Sequence, residues 1–305
     1  MEIIRKQLIY CPDGSLDWAQ THAMNPTVDV LSEEIIRVYF SSLDANKIGR
    51  IGYVEVNAKN PSEIIHVSDK PVLDIGIDGT FDDNGVVPSS IITYKGTKYL
   101  YYFGFQMVQK VRFLIYSGVA ISTDNGKTFT RDSEVPVLDR NKIDKYICSL
   151  PHVLEDKKKF KIWYSGVNEW TEVNGKELPL GNIRYIESSE PNTFRASKIH
   201  RCLEPLKDEF SLSRAFVYKR NEVYHMIFSR RMRATDKYKL GYAQSLDGIE
   251  WIRNDNNLQI SPSKSKWDDQ MMCYTSLIDI QGRQLLFYNG NGFGETGFGY
   301  AVVKD

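Results

Sequence analysis

A repeated strand pattern constrains the fold of this 305-residue chain more than any other feature of its sequence. A short apolar segment ending in aromatic and small residues occurs five times, and its last aromatic residue recurs every 60 to 64 residues. These aromatic residues are Phe40, Tyr102, Tyr164, Phe228 and Tyr288. A period of this length with almost no helical periodicity is typical of repeated β-meanders.

Further apolar segments flank each copy and repeat at a similar interval. The segments that follow are residues 52–55, 118–121, 184–187, 241–244 and 299–302, which recur every 57 to 66 residues. Those that precede are residues 26–30, 88–94, 151–154, 215–218 and 274–280. Because two independent anchors share one period, each unit is predicted to be a meander of three or four strands.

The predicted fold is all-β: a five-bladed β-propeller formed by a single domain, residues 1–305. The predicted blades cover approximately residues 21–62, 81–137, 146–200, 208–260, and 268–305 together with 3–10. The fifth copy ends after its third strand, and residues 3–10 form a strand that belongs to no other unit. We therefore expect this N-terminal strand to close the last blade as its outer strand, which leaves no long open edge.

Charge and cysteine content exclude several classes of protein. Lys and Arg together number 39, as do Asp and Glu, and no basic block is present. This balance argues against nucleic-acid partners and against a polybasic membrane surface. There is no apolar run of about 18 residues and no signal-peptide pattern. Four widely spaced cysteines without a CxxC pair do not indicate a zinc site. We predict a soluble, cytoplasmic protein without a cofactor, of undetermined oligomeric state.

Polar residues just before each first strand are the candidates for chemistry. In a propeller these positions converge at one mouth of a central channel, and converging carboxylates raise one another's pKa. Glycoside cleavage requires two carboxyl groups about 5–10 Å apart. The predicted catalytic residues are Asp83, Glu209 and Asp269.

The remaining candidates are assigned to substrate binding. They are Trp18, His22, Asn25, Asp82, His152, Arg214, Arg230, Tyr274 and Glu295. Aromatic rings, here Trp18, Tyr274 and also Phe293, stack on the C–H faces of sugars. The two histidines, His22 and His152, are predicted to carry protons or to contact sugar hydroxyls. Arg214 and Arg230 suit a carboxylate or phosphate.

Two hairpins carry a distinctive turn sequence, STDNGKTF at 122–129 and SLDGIEW at 245–251. Asp and Gly at these positions favour tight turns between strands. These turns resemble the Asp-box of sugar-cleaving propellers, in which the box is structural, so no catalytic role is assigned to them.

Two sequence features indicate a family: the YYSG-type strand, which reads WYSG at 163–166, and the segment GYAQSLDGIEW at 241–251. The resemblance that they mark covers nearly the whole chain. The chain resembles the five-bladed arabinanase, levansucrase and invertase-like glycosidase superfamily, which includes glycoside hydrolase families 43, 32, 68 and 130. Two shorter segments, SRR at 229–231 and NGNGFG at 289–294, resemble uncharacterised members encoded beside surface-polysaccharide biosynthesis genes.

The resemblance implies sugar cleavage by acids from the first three blades. In family 43, an Asp before Pro in blade 1 is the base, an Asp in blade 2 tunes the acid, and a Glu in blade 3 is the acid. Here the first position is Asn25, the second retains Asp83, and the third reads SLPH, ending at His152. Some relatives hold calcium in the channel, but no calcium ligand set is visible in this sequence.

Three functions therefore remain open. The leading hypothesis is a glycoside hydrolase that acts on a small glycan or sugar conjugate. A phosphorylase or glycosyltransferase would instead use a phosphorylated or nucleotide sugar, with Arg214 and Arg230 holding the phosphate. The third possibility is a sugar-binding or scaffold propeller without catalysis, which the missing blade 1 and blade 3 acids favour.

Overall fold

The computed structural model describes residues 1–194, 198–264 and 266–304. Twenty strands and two short 3-10 helices, Asp255–Asn257 and Asn291–Phe293, make up the regular structure of these residues. The strands form several antiparallel sheets, which confirms the predicted all-β class. None of the helices described is long and apolar enough to cross a membrane.

The strands follow the sequence repeat, and each repeat is called a unit below. Unit 1 contains β2 (Thr21–Val30), β3 (Ile35–Leu43), β4 (Gly49–Asn57) and β5 (Ile64–Val67). Unit 2 contains β6 (Val86–Tyr94), β7 (Thr97–Met107), β8 (Phe113–Ser122) and β9 (Thr130–Arg131). Unit 3 contains β10 (Ile147–Asp156), β11 (Lys159–Val173), β12 (Lys176–Ser188) and β13 (His200–Leu203). Unit 4 contains β14 (Glu209–Arg220), β15 (Val223–Met232), β16 (Tyr238–Ser245) and β17 (Ile252–Arg253). Unit 5 contains β18 (Cys273–Ile280), β19 (Arg283–Asn289), β20 (Phe298–Lys304) and β1 (Glu2–Tyr10).

Each unit is an antiparallel meander in chain order, except that β1 joins unit 5. Units 1, 4 and 5 are separate four-stranded sheets. Units 2 and 3 form one eight-stranded sheet because Ile147 of β10 pairs with Ile115 of β8 in parallel. The N-terminal strand β1 pairs antiparallel with β20, from Glu2 opposite Lys304 to Tyr10 opposite Phe298. This pairing confirms the expected edge position of the N-terminal strand.

Both predicted Asp/Gly turns are stabilised by side-chain hydrogen bonds. In the first, the Ser122 hydroxyl donates to Asp124 (2.6 Å), and Asp124 accepts from the Lys127 and Thr128 N–H groups. In the second, Asp247 accepts in the same way from Ile249 and Glu250. Burial opposes ionisation of Asp124, but its hydrogen bonds outweigh burial and lower its pKa to about 2. The turns are therefore structural.

A buried aspartate is hydrogen-bonded to the repeated tyrosine in three units. The tyrosine hydroxyl donates over 2.9 Å to an aspartate 20 positions earlier in the chain. The pairs, called the Asp–Tyr latches below, are Asp82–Tyr102, Asp144–Tyr164 and Asp268–Tyr288. Each aspartate also meets a cation, which is Arg131 at 2.8 Å, Arg184 at 3.2 Å and Lys6 at 3.0 Å, respectively. The latch thus ties the segment before each first strand to the second strand of its own unit.

We predict that Tyr102→Phe lowers the free energy of unfolding by about 1.5–3 kcal/mol, because a buried carboxylate loses a hydroxyl donor. Tyr94→Phe is the matched control in the same unit, because the Tyr94 ring packs against Phe160 and its hydroxyl has no hydrogen bond to any described residue. Chemical denaturation of both variants measures the difference. Equal stability of the two variants would show that the latch does not stabilise the fold.

Candidate functional site

The first strands of the units converge around the guanidinium of Arg214. This side chain from β14 donates to the carbonyl of Pro26 and the hydroxyl of Thr27 in β2, at 3.4 and 3.2 Å. It also donates to the Pro88 carbonyl of β6 at 3.4 Å and to Ser276 of β18 at 3.1 Å. The Ser89 hydroxyl of β6 donates to the Pro151 carbonyl at 2.7 Å, which adds β10 to the group. All five first strands therefore meet in one region.

Arg214 itself is fully buried, with 0% of its surface exposed. Its Nε atom has no hydrogen-bond partner within the described ranges. Burial lowers the pKa of Arg214 to about 9, so the guanidinium is still a cation at neutral pH. The side chain predicted to hold a substrate phosphate or carboxylate is thus enclosed between the strands and is bound to neutral oxygen atoms.

Four first strands carry a left-handed residue at the same bulge. These residues are Asn25 (φ 56°), Leu150 (φ 55°), Arg214 (φ 48°) and Tyr274 (φ 59°). At each of these points the register of the first strand shifts against the second strand. Left-handed backbone is strained for residues other than glycine, so its recurrence marks a position that the surrounding packing enforces.

Asn25, which the family resemblance aligns with a general base, lies at the bulge of β2. The side chain is 1% exposed, and its Nδ2 donates to the Pro88 carbonyl at 3.1 Å. Its backbone N–H donates to Oδ1 of Asn289 at 2.8 Å. An amide at this position is uncharged, so it cannot act as a general base.

The end of each unit at which the first strand begins is called the opening face below. A cluster of aromatic rings lies there in units 4 and 5. The ring centroids of Tyr238 and Tyr274 are 5.4 Å apart, and those of Tyr238 and Phe293 are 5.8 Å apart. The Arg231 guanidinium lies 5.4 Å from the centroid of Tyr238 and 5.3 Å from that of Phe293. Together, Arg231, Tyr238, Tyr274 and Phe293 form the aromatic corner.

His22 and Glu295 adjoin the aromatic corner. The N–H of Ala23 donates to the Gly294 carbonyl at 2.8 Å, which joins the start of β2 to the loop that carries Phe293 and Glu295. Burial lowers the pKa of His22, and the charge of Glu295 partly opposes this effect. The structure therefore brings together three predicted substrate-binding residues, His22, Tyr274 and Glu295.

A second run of aromatic rings lies on the opening face of units 2 and 3. Phe105 and Phe113 are 5.6 Å apart, Phe113 and Trp170 are 5.7 Å apart, and Tyr146 and Trp170 are 6.3 Å apart. The indole Nε1 of Trp170 is buried without a partner among the residues the structure describes. The repeat did not indicate Trp170 or Tyr238, because Trp170 lies in the extended end of β11 and Tyr238 at the start of β16, beyond the repeated segments. Tyrosine and tryptophan are also common packing residues at such positions.

Glu209, predicted to be catalytic, is held between two arginines. Its Oε1 lies 3.1 Å from Arg230 and also accepts from Arg253, and the backbone N–H of Leu206 donates to Oε2 at 3.0 Å. Burial opposes ionisation, but the hydrogen bonds from Arg253 and Leu206 outweigh it and hold the pKa of Glu209 below its ordinary value. A general acid needs a shift in the opposite direction.

Asp83 and Asp269, the other predicted catalytic acids, follow latch aspartates directly. Asp83 is half-buried and accepts from the Gly79 N–H (2.9 Å) and from Asn84 (2.6 Å). Asp269 is exposed and accepts from Nδ2 of Asn291 at 2.7 Å. Neither carboxylate forms an ion pair with any residue of the described ranges. Oδ2 of Asp269 accepts no hydrogen bond from these residues, whereas each oxygen of Asp83 accepts one and keeps a lone pair.

Four predicted substrate-binding residues make their main contacts with other side chains and the backbone of the protein. Asp82 belongs to a latch, and Arg230 contacts Glu209 and Asp255. Trp18 is 7% exposed and stacks on Phe40. The His152 ring is buried, and its Nε2 lies 2.7 Å from the Val217 carbonyl. Across the described residues, no group of three His, Cys, Asp or Glu side chains is placed to hold a metal ion.

Comparisons with known proteins agree with this architecture. The chain is 33% identical over 300 residues to the uncharacterized protein Rv1502 of Mycobacterium tuberculosis, and the match covers 97% of both proteins. The structure is similar to a thermostable family-43 glycoside hydrolase, with a TM-score of 0.70, 17% identity, and coverage of 92% of this protein and 88% of the other. It is also similar to an endo-arabinase from Bacteroides thetaiotaomicron, with a TM-score of 0.63, 13% identity, and coverage of 98% of both. No protein-family model matches the chain.

The buried histidine predicts a dependence of stability on pH. Burial lowers the pKa of His152 to about 3, while a histidine in an unfolded chain titrates near 6.5. As the pH falls below about 6.5, the unfolded chain binds a proton that the folded protein excludes, so stability is lost. Between pH 7 and pH 5 this group alone lowers the free energy of unfolding by about 2 kcal/mol.

We predict that His152→Gln, which keeps an N–H donor for Val217, removes this part of the pH dependence. Urea denaturation at pH 7 and pH 5 measures it. His66→Gln, at an exposed histidine, is the control and keeps the wild-type dependence. An unchanged dependence in His152→Gln would mean that His152 titrates normally in the folded protein.

Proposed function

Because the chain belongs to the family of the uncharacterized protein Rv1502 of Mycobacterium tuberculosis and has the fold of propeller-type glycoside hydrolases, we propose that it is a carbohydrate-active protein that binds its sugar on the opening face. The observation that carries this proposal is the aromatic corner. Its half-buried rings, Tyr274 and Phe293, lie on the opening face, and sugars bind to such rings through their C–H faces. The Tyr238 ring is 5% exposed and packs against both.

The proposal includes a ring of five blades in a single domain. Its supports are the five meanders, the pairing of β1 with β20, and the contacts of Arg214 with the first strands of three other units. In such a ring the first strands surround a common axis, and the aromatic corner flanks the opening on that axis.

The polar groups beside the aromatic corner suit a sugar with many hydroxyl groups. Arg231 supplies N–H donors, although it also forms an ion pair with Asp236 at 2.8 Å. His22 stays largely neutral at pH 7 because burial lowers its pKa, so its ring can both donate and accept. The exposed Glu295 carboxylate accepts from sugar hydroxyls.

The proposed chemistry is hydrolysis of a glycosidic bond, with Asp83 and Asp269 as the two carboxyl groups. One carboxyl protonates the leaving oxygen as the bond from the anomeric carbon to that oxygen breaks. The other removes a proton from the water molecule whose oxygen bonds to the anomeric carbon. Glu209 is assigned a positioning role, because its charge is already matched by Arg230 and Arg253.

A second candidate function is sugar binding without turnover. The buried amide of Asn25 favours it, because the position of the blade 1 base carries no charge. Both candidates share the aromatic corner, so binding and turnover are tested separately.

Phe293→Ala is predicted to weaken sugar binding at least about tenfold, because loss of a stacked ring removes more than about 1.4 kcal/mol. The probe is the tightest ligand found on a glycan array, and affinity is measured by calorimetry. The control is Tyr94→Phe, far from the opening face at the end of β6. Equal affinity in Phe293→Ala would place the sugar elsewhere.

We predict that Asp83→Asn and Asp269→Asn each reduce kcat by at least about 100-fold, because each removes an acid or base group. Release of nitrophenol from a panel of 4-nitrophenyl glycosides measures turnover, and thermal melting checks the fold. Asp208→Asn, at an exposed acid just before β14, is the control and leaves kcat unchanged. Glycan binding by the wild-type protein without cleavage of any glycoside tested would instead support binding without turnover.

A further inference from the structure

A polar cleft lies between units 3 and 4 on the opening face. It has a volume of about 400 Å³ and is bounded by the base of the β11–β12 hairpin, the segment before β14 and the end of β15. Its lining includes Asn182, Arg184, Arg201, Lys207, Glu209 and Arg233. The hairpin tip is attached to unit 4, since Nδ2 of Asn174 donates to the Arg233 carbonyl at 3.3 Å. The proposed sugar site does not include this cleft.

The acids of the cleft lining are largely compensated. Glu209 is paired with Arg230 and Arg253, neither of which lines the cleft. Glu204 is paired with Arg201 at 3.5 Å. Only the exposed Glu169 is left without a cationic partner within the described ranges.

Two cations of the lining have no carboxylate partner. Lys207 forms no ion pair in the described part of the chain, and Arg233 uses Nε for the Glu209 carbonyl at 2.9 Å. The remaining N–H groups of the Arg233 guanidinium and the Lys207 ammonium are thus free to meet an anion. The cleft lining therefore carries positive charge that its own acids do not neutralise.

Arg184 provides an independent indication of a ligand. This cleft residue is 1% exposed, and its Nε donates to the latch carboxylate of Asp144 at 3.2 Å. Its Nη1 atom is buried and has no hydrogen-bond partner in residues 1–194, 198–264 and 266–304. An unsatisfied N–H donor of a buried cation is costly, and an anionic oxygen satisfies it best.

We propose that this cleft binds a small oxyanion, a phosphate or carboxylate group, through Arg184, Lys207 and Arg233. The planar guanidinium of Arg233 contacts two anion oxygens, and Lys207 contributes a point charge. Arg184 lines the cleft, and its unpartnered Nη1 is the donor assigned to an oxygen of the anion. The proposal does not require sugar binding at the aromatic corner, because its residues and its ligand group are distinct.

The site is tested by titrating the full-length protein with inorganic phosphate and, separately, with glucuronate, in low-salt buffer. Glucose is the neutral control. The variant Lys207→Gln/Arg233→Gln removes both unpaired cations and leaves the Arg184–Asp144 pair intact. Lys110→Gln/Lys239→Gln, at two exposed lysines outside the cleft, is the charge-matched control.

We expect wild-type protein and the charge-matched control to bind one of the two anions, and the cleft variant to bind it at least about tenfold more weakly, since each lost charge-assisted hydrogen bond weakens binding by about that much. Tighter binding of phosphate identifies a phosphorylated ligand, and tighter binding of glucuronate identifies an acidic sugar. The proposal is overturned if neither anion binds, or if the cleft variant binds as tightly as the control. Loss of sugar binding in Phe293→Ala with anion binding retained separates the two sites.

Discussion

One buried cation, the guanidinium of Arg214, joins the units of this structure. It is fully enclosed and contacts first strands from units 1, 2 and 5, yet no carboxylate of the described residues is bonded to it. Removing a charge from water is expensive, so carbonyl and hydroxyl oxygens from three other strands have to replace the lost hydration. Those oxygens solvate the cation only if the strands surround it. Burial of Arg214 therefore requires that the first strands converge around its guanidinium.

The bulges of the first strands lie in the region where these strands converge. Asn25, Leu150, Arg214 and Tyr274 share a left-handed backbone, and Arg214 uses it to reach the centre of the group. The equivalent residue of unit 5, Tyr274, lies in the aromatic corner and also packs beside Leu150 and Val87. The left-handed bulge therefore positions both the Arg214 guanidinium at the centre and the Tyr274 ring in the proposed sugar site.

The repeat in the sequence predicted the strands and the position of β1, because both depend on local patterns of apolar residues and on one unpaired strand. It did not predict the partners of the acids. Asp82 and Asp268 precede first strands as catalytic acids would, but each lies 20 residues before a tyrosine whose hydroxyl it accepts. Units 1 and 4 have Phe40 and Phe228 at that position, so these units lack the latch hydroxyl. The 20-residue spacing of Asp and Tyr is present in the sequence, but its meaning was recognised only from the structure, which distinguishes the latch residue Asp82 from Asp83.

Contacts between residues far apart in the sequence account for the other site residues whose surroundings the sequence did not predict. Glu209 meets Arg253, 44 residues later on the short strand β17, and no local pattern indicates that contact. Asn25 and Arg214 donate to the same carbonyl, that of Pro88. A carboxylate in place of the Asn25 amide would therefore lie beside Arg214 and form a buried ion pair with it. With an amide there, the described partners of the central cation are all neutral oxygen atoms. The acid–base chemistry proposed for the opening face is therefore assigned to Asp83 and Asp269, which accept hydrogen bonds from neutral groups and form no ion pair within the described residues.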